Sequence, residues 1–68
     1  MSNKRYPELF ERIHKYVTLV AYETFMLPAD KAEDFIRRES LNRYRYCSKQ
    51  VTKGECTLAE VMDSFPLD

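Results

Sequence analysis

Apolar positions along this chain fall into three blocks, each repeating at helical rather than strand spacing. With Leu9 as origin and 100° per residue, Leu9, Ile13, Tyr16, Val17, Val20, Thr24 and Leu27 share one face. That is the i, i+3, i+4, i+7 pattern of a helix packed on a core. Pro7 suits a first helical turn, with its fixed φ and no N–H to leave unpaired, and Pro28 disfavours helical backbone at Leu27. The first helix is therefore predicted from about Pro7 to Met26. Glu8 with Arg12 and Glu11 with Lys15 stand four apart in the favourable order, worth a few tenths of a kcal/mol per pair. Residues 1–5, polar and short, are expected to fray.

The second block predicts a helix from about Ala29 to Thr52. Its stripe is Ala29, Ala32, Ile36, Tyr44, Cys47 and Val51, with Phe35, Leu41 and Tyr46 off the row. Ser40 interrupts the stripe and is also placed to cap a fresh helix after a kink at Glu39. Asp30, Glu33 and Asp34 gather at the start and Arg45, Lys49 and Lys53 towards the end, matching both poles of a helix dipole. Gly54 is the only glycine and stands where a left-handed residue would end the helix.

The third block carries the clearest local signal. Thr57-Leu-Ala-Glu60 is a capping box, with Cys56 and Val61 at the positions of a hydrophobic staple. It predicts a helix from Leu58 to about Ser64, with Leu58, Val61, Met62 and Phe65 inward and Pro66 ending it. The charged and aromatic alternation of residues 43–46 is too short to outweigh the helical pattern around it. The expected fold is thus a small all-α domain spanning residues 1–68: two long antiparallel helices and a short C-terminal helix.

One stretch holds more apolar surface than this fold can use. Residues 8–18 of the first helix put Glu8, Glu11, Arg12, Lys15 and Thr18 opposite the core face. Beyond them, Leu19, Tyr22 and Met26 follow at i, i+3 and i+7 on that opposite side, with Phe25 beside them. A helix that is apolar all round is covered all round. Either the third helix covers this side, or a second copy or another protein does. A chain of 68 residues buries only about 60% of the surface its unfolded form exposes, so the second alternative is the one expected. Leu19, Tyr22, Phe25 and Met26 become the candidate partner-binding residues, with a homodimer as one form of the assembly.

Charge changes the picture in one place. Eleven basic and eleven acidic residues give no net charge, which argues against a general polyanion binder. By segment, however, residues 1–28 carry +1, 29–35 carry −2, 36–53 carry +5 and 54–68 carry −4. Arg38, Asn42, Arg45 and Lys49 recur on one stripe of the second helix, with donors suited to phosphate. Tyr44 and Tyr46 interleave with Arg43 and Arg45 as in a base-stacking surface. Three of the arginines have acids four residues before them (Glu33 and Arg37, Asp34 and Arg38, Glu39 and Arg43), leaving Arg45, Lys49 and Lys53 without one. The stripe is therefore expected to be a solvated face able to steer an acidic partner, with weak nucleic-acid binding as the second reading. The third helix follows a turn as in helix-turn-helix modules, but it carries Glu60 and Asp63 and no Lys or Arg, so phosphate would repel it.

No catalytic constellation stands out. His14 is the only histidine, and Cys47 and Cys56 lie nine apart, outside metal-ligand spacing. A cysteine nucleophile with His14 as base needs the fold to bring them together. One glycine cannot build a phosphate-cradling loop. No metal, cofactor or small-molecule substrate is expected, and the cysteines are expected reduced and packed. Neither a secretory leader nor a run of 18 uncharged apolar residues occurs, which gives a cytoplasmic expectation. The functional expectation is a non-enzymatic regulatory or adaptor protein. On size class alone, it extends to transcription or DNA-handling machinery.

Overall fold

The computed structural model describes residues 5–67, and these form helices and turns with no strand. Helix α1 (Pro7–Leu19) continues into a wide π turn (Val20–Thr24). Helix α2 (Ala29–Lys53) runs back antiparallel to it, and α3 (Leu58–Asp63) closes one end. The expected frayed N-terminus falls almost wholly outside the described residues. Just after it, the Tyr6 N–H donates to the Tyr44 hydroxyl at 3.0 Å and the Tyr6 hydroxyl meets Thr52 Oγ1 at 3.2 Å, so the entry to α1 is tied to the far end of α2.

The core is built on two rows that step by four residues. Leu9, Ile13 and Val17 on α1, with Ala21 in the π turn, face Ala32, Ile36, Ser40 and Tyr44 on α2, followed by Cys47. Such i±4 rows are the ridges that pack helix against helix, and each fully buried Leu, Ile or Val contributes about 1.5–3 kcal/mol. Small Ala21 and Ala32 end both rows beside the turn, where the helices have to meet.

The first helix departs from its expected course after Leu19. In the π turn the Phe25 N–H bonds to the Val20 carbonyl, five residues back, at 3.0 Å. An i→i+5 turn takes up an extra residue relative to an α turn. Ala21, four residues after Val17 in the same row, occupies the core rather than Val20 or Thr24: Val20 and Leu27 are half-buried and Thr24 is exposed. The helix then ends through Met26, whose φ of 52° is left-handed, and the Leu27 N–H closes onto the Ala21 carbonyl at 3.0 Å. Left-handed backbone at a residue with a Cβ costs about 1 kcal/mol or more. Because the Met26 side chain is 79% exposed and packs little, Met26→Gly is expected to gain about 1 kcal/mol, raising the thermal midpoint by about 4–8 °C on circular-dichroism melting.

Helix α2 is continuous. Ser40 neither breaks it nor caps a second helix; it is 1% exposed, within the core row. Ala29, expected on the stripe, is exposed. The far end follows the sequence reading. Gly54 takes φ 82°, its N–H bonds to the Val51 carbonyl and the Glu55 N–H to the Gln50 carbonyl, both at 3.0 Å. That pair of bonds is a Schellman closure.

The capping box of α3 is formed in both directions: Glu60 N–H to Thr57 Oγ1 at 3.1 Å, and Thr57 N–H to Glu60 Oε1 at 2.9 Å. Val61 and Phe65 are buried, with Leu58, Met62 and Cys56 half-buried against them. Phe65 stacks edge-on against Tyr16 with ring centroids 5.3 Å apart. Arg12, expected to pair with Glu8, instead donates from Nε to the Phe65 carbonyl at 2.7 Å. No helix among the described residues is long and apolar enough to cross a membrane.

Candidate functional site

Helix α3 covers only the half of α1 that lies near Arg12 and Tyr16. The other half stays open: Leu19 is 38% exposed, Tyr22 46%, Phe25 56% and Met26 79%. Of the two alternatives for this stretch, coverage by the chain's own third helix is therefore not what the fold provides.

The four residues do not form one flat face. Leu19 flanks α1 on the side of His14, Thr18 and Leu67, while Tyr22 lies across the same His14 and Thr18 edge, in the groove between α1 and α2. Phe25 turns towards α2 and meets Phe35 edge-on, centroids 5.6 Å apart. Met26 stands out at the tip of the hairpin. The extra residue in the π turn rotates positions 25 and 26 away from where a continuous α-helix would put them.

The α1/α2 groove has a volume of about 540 Å3. One wall is the α1 row Phe10, His14, Thr18 and Tyr22; the other carries Glu33, Arg37, Ser40 and Leu41. Leu41 is 45% exposed. It stands off the stripe in the sequence, where no spacing rule marks it as a groove-edge residue. Ser40 Oγ, buried at the base, has no hydrogen-bond partner among the described residues.

The basic stripe divides in two. Arg38 bonds to Asp34 Oδ2 at 2.6 Å, and Arg37 approaches Asp34 Oδ1 at 3.8 Å rather than the expected Glu33. Arg43 pairs with Glu39 as expected. Arg45 and Lys49 are exposed and make no ion pair among the described residues; Asn42 is exposed as well and lies on the α3 side. Lys49 shares a shallow groove with Arg5, Ser48 and Lys53, with no carboxylate in its lining. Cations in the last turns of a helix are favoured by its dipole, which suits Lys49 and Lys53.

Cys47 and Cys56 are both free thiols lining one groove between α2 and α3. His14 lies in the α1/α2 groove, its ring 6.2 Å from that of Phe10, so the fold does not assemble a cysteine and histidine pair. Among the described residues no group of three metal-ligating side chains comes together. Burial above all, and then the neighbouring Cys56, push the Cys47 thiol above its ordinary pKa, with Arg43 pulling the other way. A raised folded-state pKa means that stability is fully present below the ordinary thiol value and falls as pH rises from there towards the folded value. Denaturant titrations at rising alkaline pH should show that loss in the native protein and not in Cys47→Ala. At neutral pH a thiol reagent should modify Cys56 well before Cys47.

Protein-family models, curated proteins and solved structures were compared with the chain. None matches. The functional reading therefore rests on the surface itself: an open apolar tip and flank, a groove with an orphaned hydroxyl, and a modest basic cluster at the opposite end of α2.

Proposed function

We propose that this protein is a non-enzymatic regulatory or adaptor module of the cytoplasm that works by binding another protein through Leu19, Tyr22, Phe25 and Met26. The observation that carries this reading is Met26. A glycine would hold that left-handed position with less strain, yet the chain holds there a flexible thioether projecting into solvent. Such a side chain gives nothing to its own core and suits an anchor for a partner's apolar pocket. Tyr22 and Phe25 supply the aromatic anchors typical of interface centres.

Photo-crosslinking residues placed singly at Leu19, Tyr22, Phe25 and Met26 in cells of the native host test it, with Glu55 and Asp63, exposed on the α3 side, as controls. Adducts from the first set alone, with those at Phe25 and Met26 sharing one defined mass, are the expected result. Equal adducts from both sets, or none from the first, would overturn the reading.

The groove of Arg5, Ser48, Lys49 and Lys53 favours a second reading, weak binding of nucleic-acid phosphate, extended along the stripe by Arg45. About three phosphate contacts make such binding weak and steeply dependent on salt. Duplex DNA titrated at two salt concentrations, with Arg45→Ala and Lys49→Ala together, decides it.

A further inference from the structure

The groove between α1 and α2 carries more than an apolar surface in search of cover. We infer that it is filled by a second copy of this chain, in a two-fold symmetric dimer that packs the hairpins groove to groove. This rests on the reading that the molecule works by protein binding, and it names the occupant of one part of that surface.

Two features carry the inference, and the first points to a copy rather than to an unlike partner. The first is charge. The groove rim carries one acid and one base, Glu33 and Arg37, a single turn apart on α2. Glu33 makes no ion pair among the described residues, and Arg37 only approaches Asp34, at 3.8 Å, with its side chain 72% exposed. A two-fold axis beside α2 sets each Glu33 against the partner's Arg37. An isologous contact needs a patch complementary to itself, and a rim of one carboxylate and one guanidinium meets that need, whereas it would steer neither an acidic nor a basic stranger. The whole chain has no net charge, so two copies approach without long-range repulsion.

The second feature is size. From Phe10 to Tyr22 the groove follows α1 for about 18 Å at 1.5 Å per residue, room for a helix of the second copy. A standard interface takes about 800 Å2 from each partner, about a sixth of this molecule's 5083 Å2 surface. Tyr22 and Leu41, half-exposed on opposite lips, become its apolar centre. Phe25 and Met26 stay outside at the tips, so the dimer presents two copies of the proposed anchor.

Sedimentation equilibrium over a wide concentration range tests the inference on the full chain. A monomer and dimer equilibrium is expected, with Tyr22→Glu and Leu41→Glu each raising the dissociation constant at least about tenfold while far-UV circular dichroism stays unchanged, both side chains being half-exposed. Glu33→Arg and Arg37→Glu should each weaken the dimer several-fold, and the double exchange should restore it. A monomer at every concentration would overturn the inference, and so would a dimer indifferent to Tyr22 and Leu41 or one not rescued by the double exchange. Should crosslinks from Phe25 and Met26 to a different protein persist in that case, self-association fails while the protein-binding reading stands; the loss of both removes both.

Discussion

Phe65→Ala should cost about 3–5 kcal/mol and release α3 from the hairpin. Total stability for a chain of this length is roughly 3–10 kcal/mol, so the loss is a large part of the whole. Helix α3 spans only six residues, far below the length at which a helix holds by itself. Its capping box fixes how it begins but not where it sits. Position comes from Val61 and Phe65 in the core, from the Phe65 ring against Tyr16, and from the Arg12 bond to the Phe65 carbonyl. Removing the ring takes away the largest of these and loosens the backbone that Arg12 grips. Hydrogen exchange should show amides of residues 58–65 losing protection first. Cys47, which α3 helps to cover, should become reactive towards thiol reagents at neutral pH. Unchanged protection in α3 would mean that the cap and Val61 suffice.

Ile13→Ala should cost about 2–5 kcal/mol, and it should act on the hairpin as a whole. Ile13 is fully buried in the middle of the α1 row, between Leu9 and Val17 and opposite the α2 row. Neighbours on all sides are already packed, so a cavity there closes only in part. Leu41→Ala removes a comparable side chain from the groove edge and should change monomer stability by no more than about 0.5 kcal/mol. Denaturant midpoints for the two variants, measured at concentrations where the protein is monomeric, give the comparison directly. Similar losses for both would show that Leu41 contributes to the fold rather than to an external contact.

Much of the architecture could be read from the residues because its causes are local. Pro7 and Pro28 set helix starts through their own backbone limits, Gly54 ends α2 through a conformation that favours glycine, and Thr57 with Glu60 caps α3 within one turn. The exposed set Leu19, Tyr22, Phe25 and Met26 was legible for a simpler reason, an excess of apolar side chains over places to hide them. What was not legible depends on packing between distant segments. Nothing near Val20 announces a π turn. Ser40 reads as a break in a stripe, yet a small side chain at that point lets the two rows close, and only the opposing helix reveals it. The tie from Tyr6 to Tyr44 and Thr52 spans 38 and 46 residues, beyond any spacing rule. The groove was hidden for the same reason, since its two walls come from different helices.

The wide turn at Val20–Thr24 stores one residue more than a regular helix would hold. The register upstream of it is set by the Leu9, Ile13 and Val17 row, and the register downstream by Pro28 and the start of α2. The segment between them is thus a reservoir of chain length: removing one residue there should convert it to ordinary α-helix and swing the tip by roughly a quarter of a turn, leaving the core intact. Small changes of length at this point re-aim the residues the molecule shows to others without rebuilding the part that holds it together.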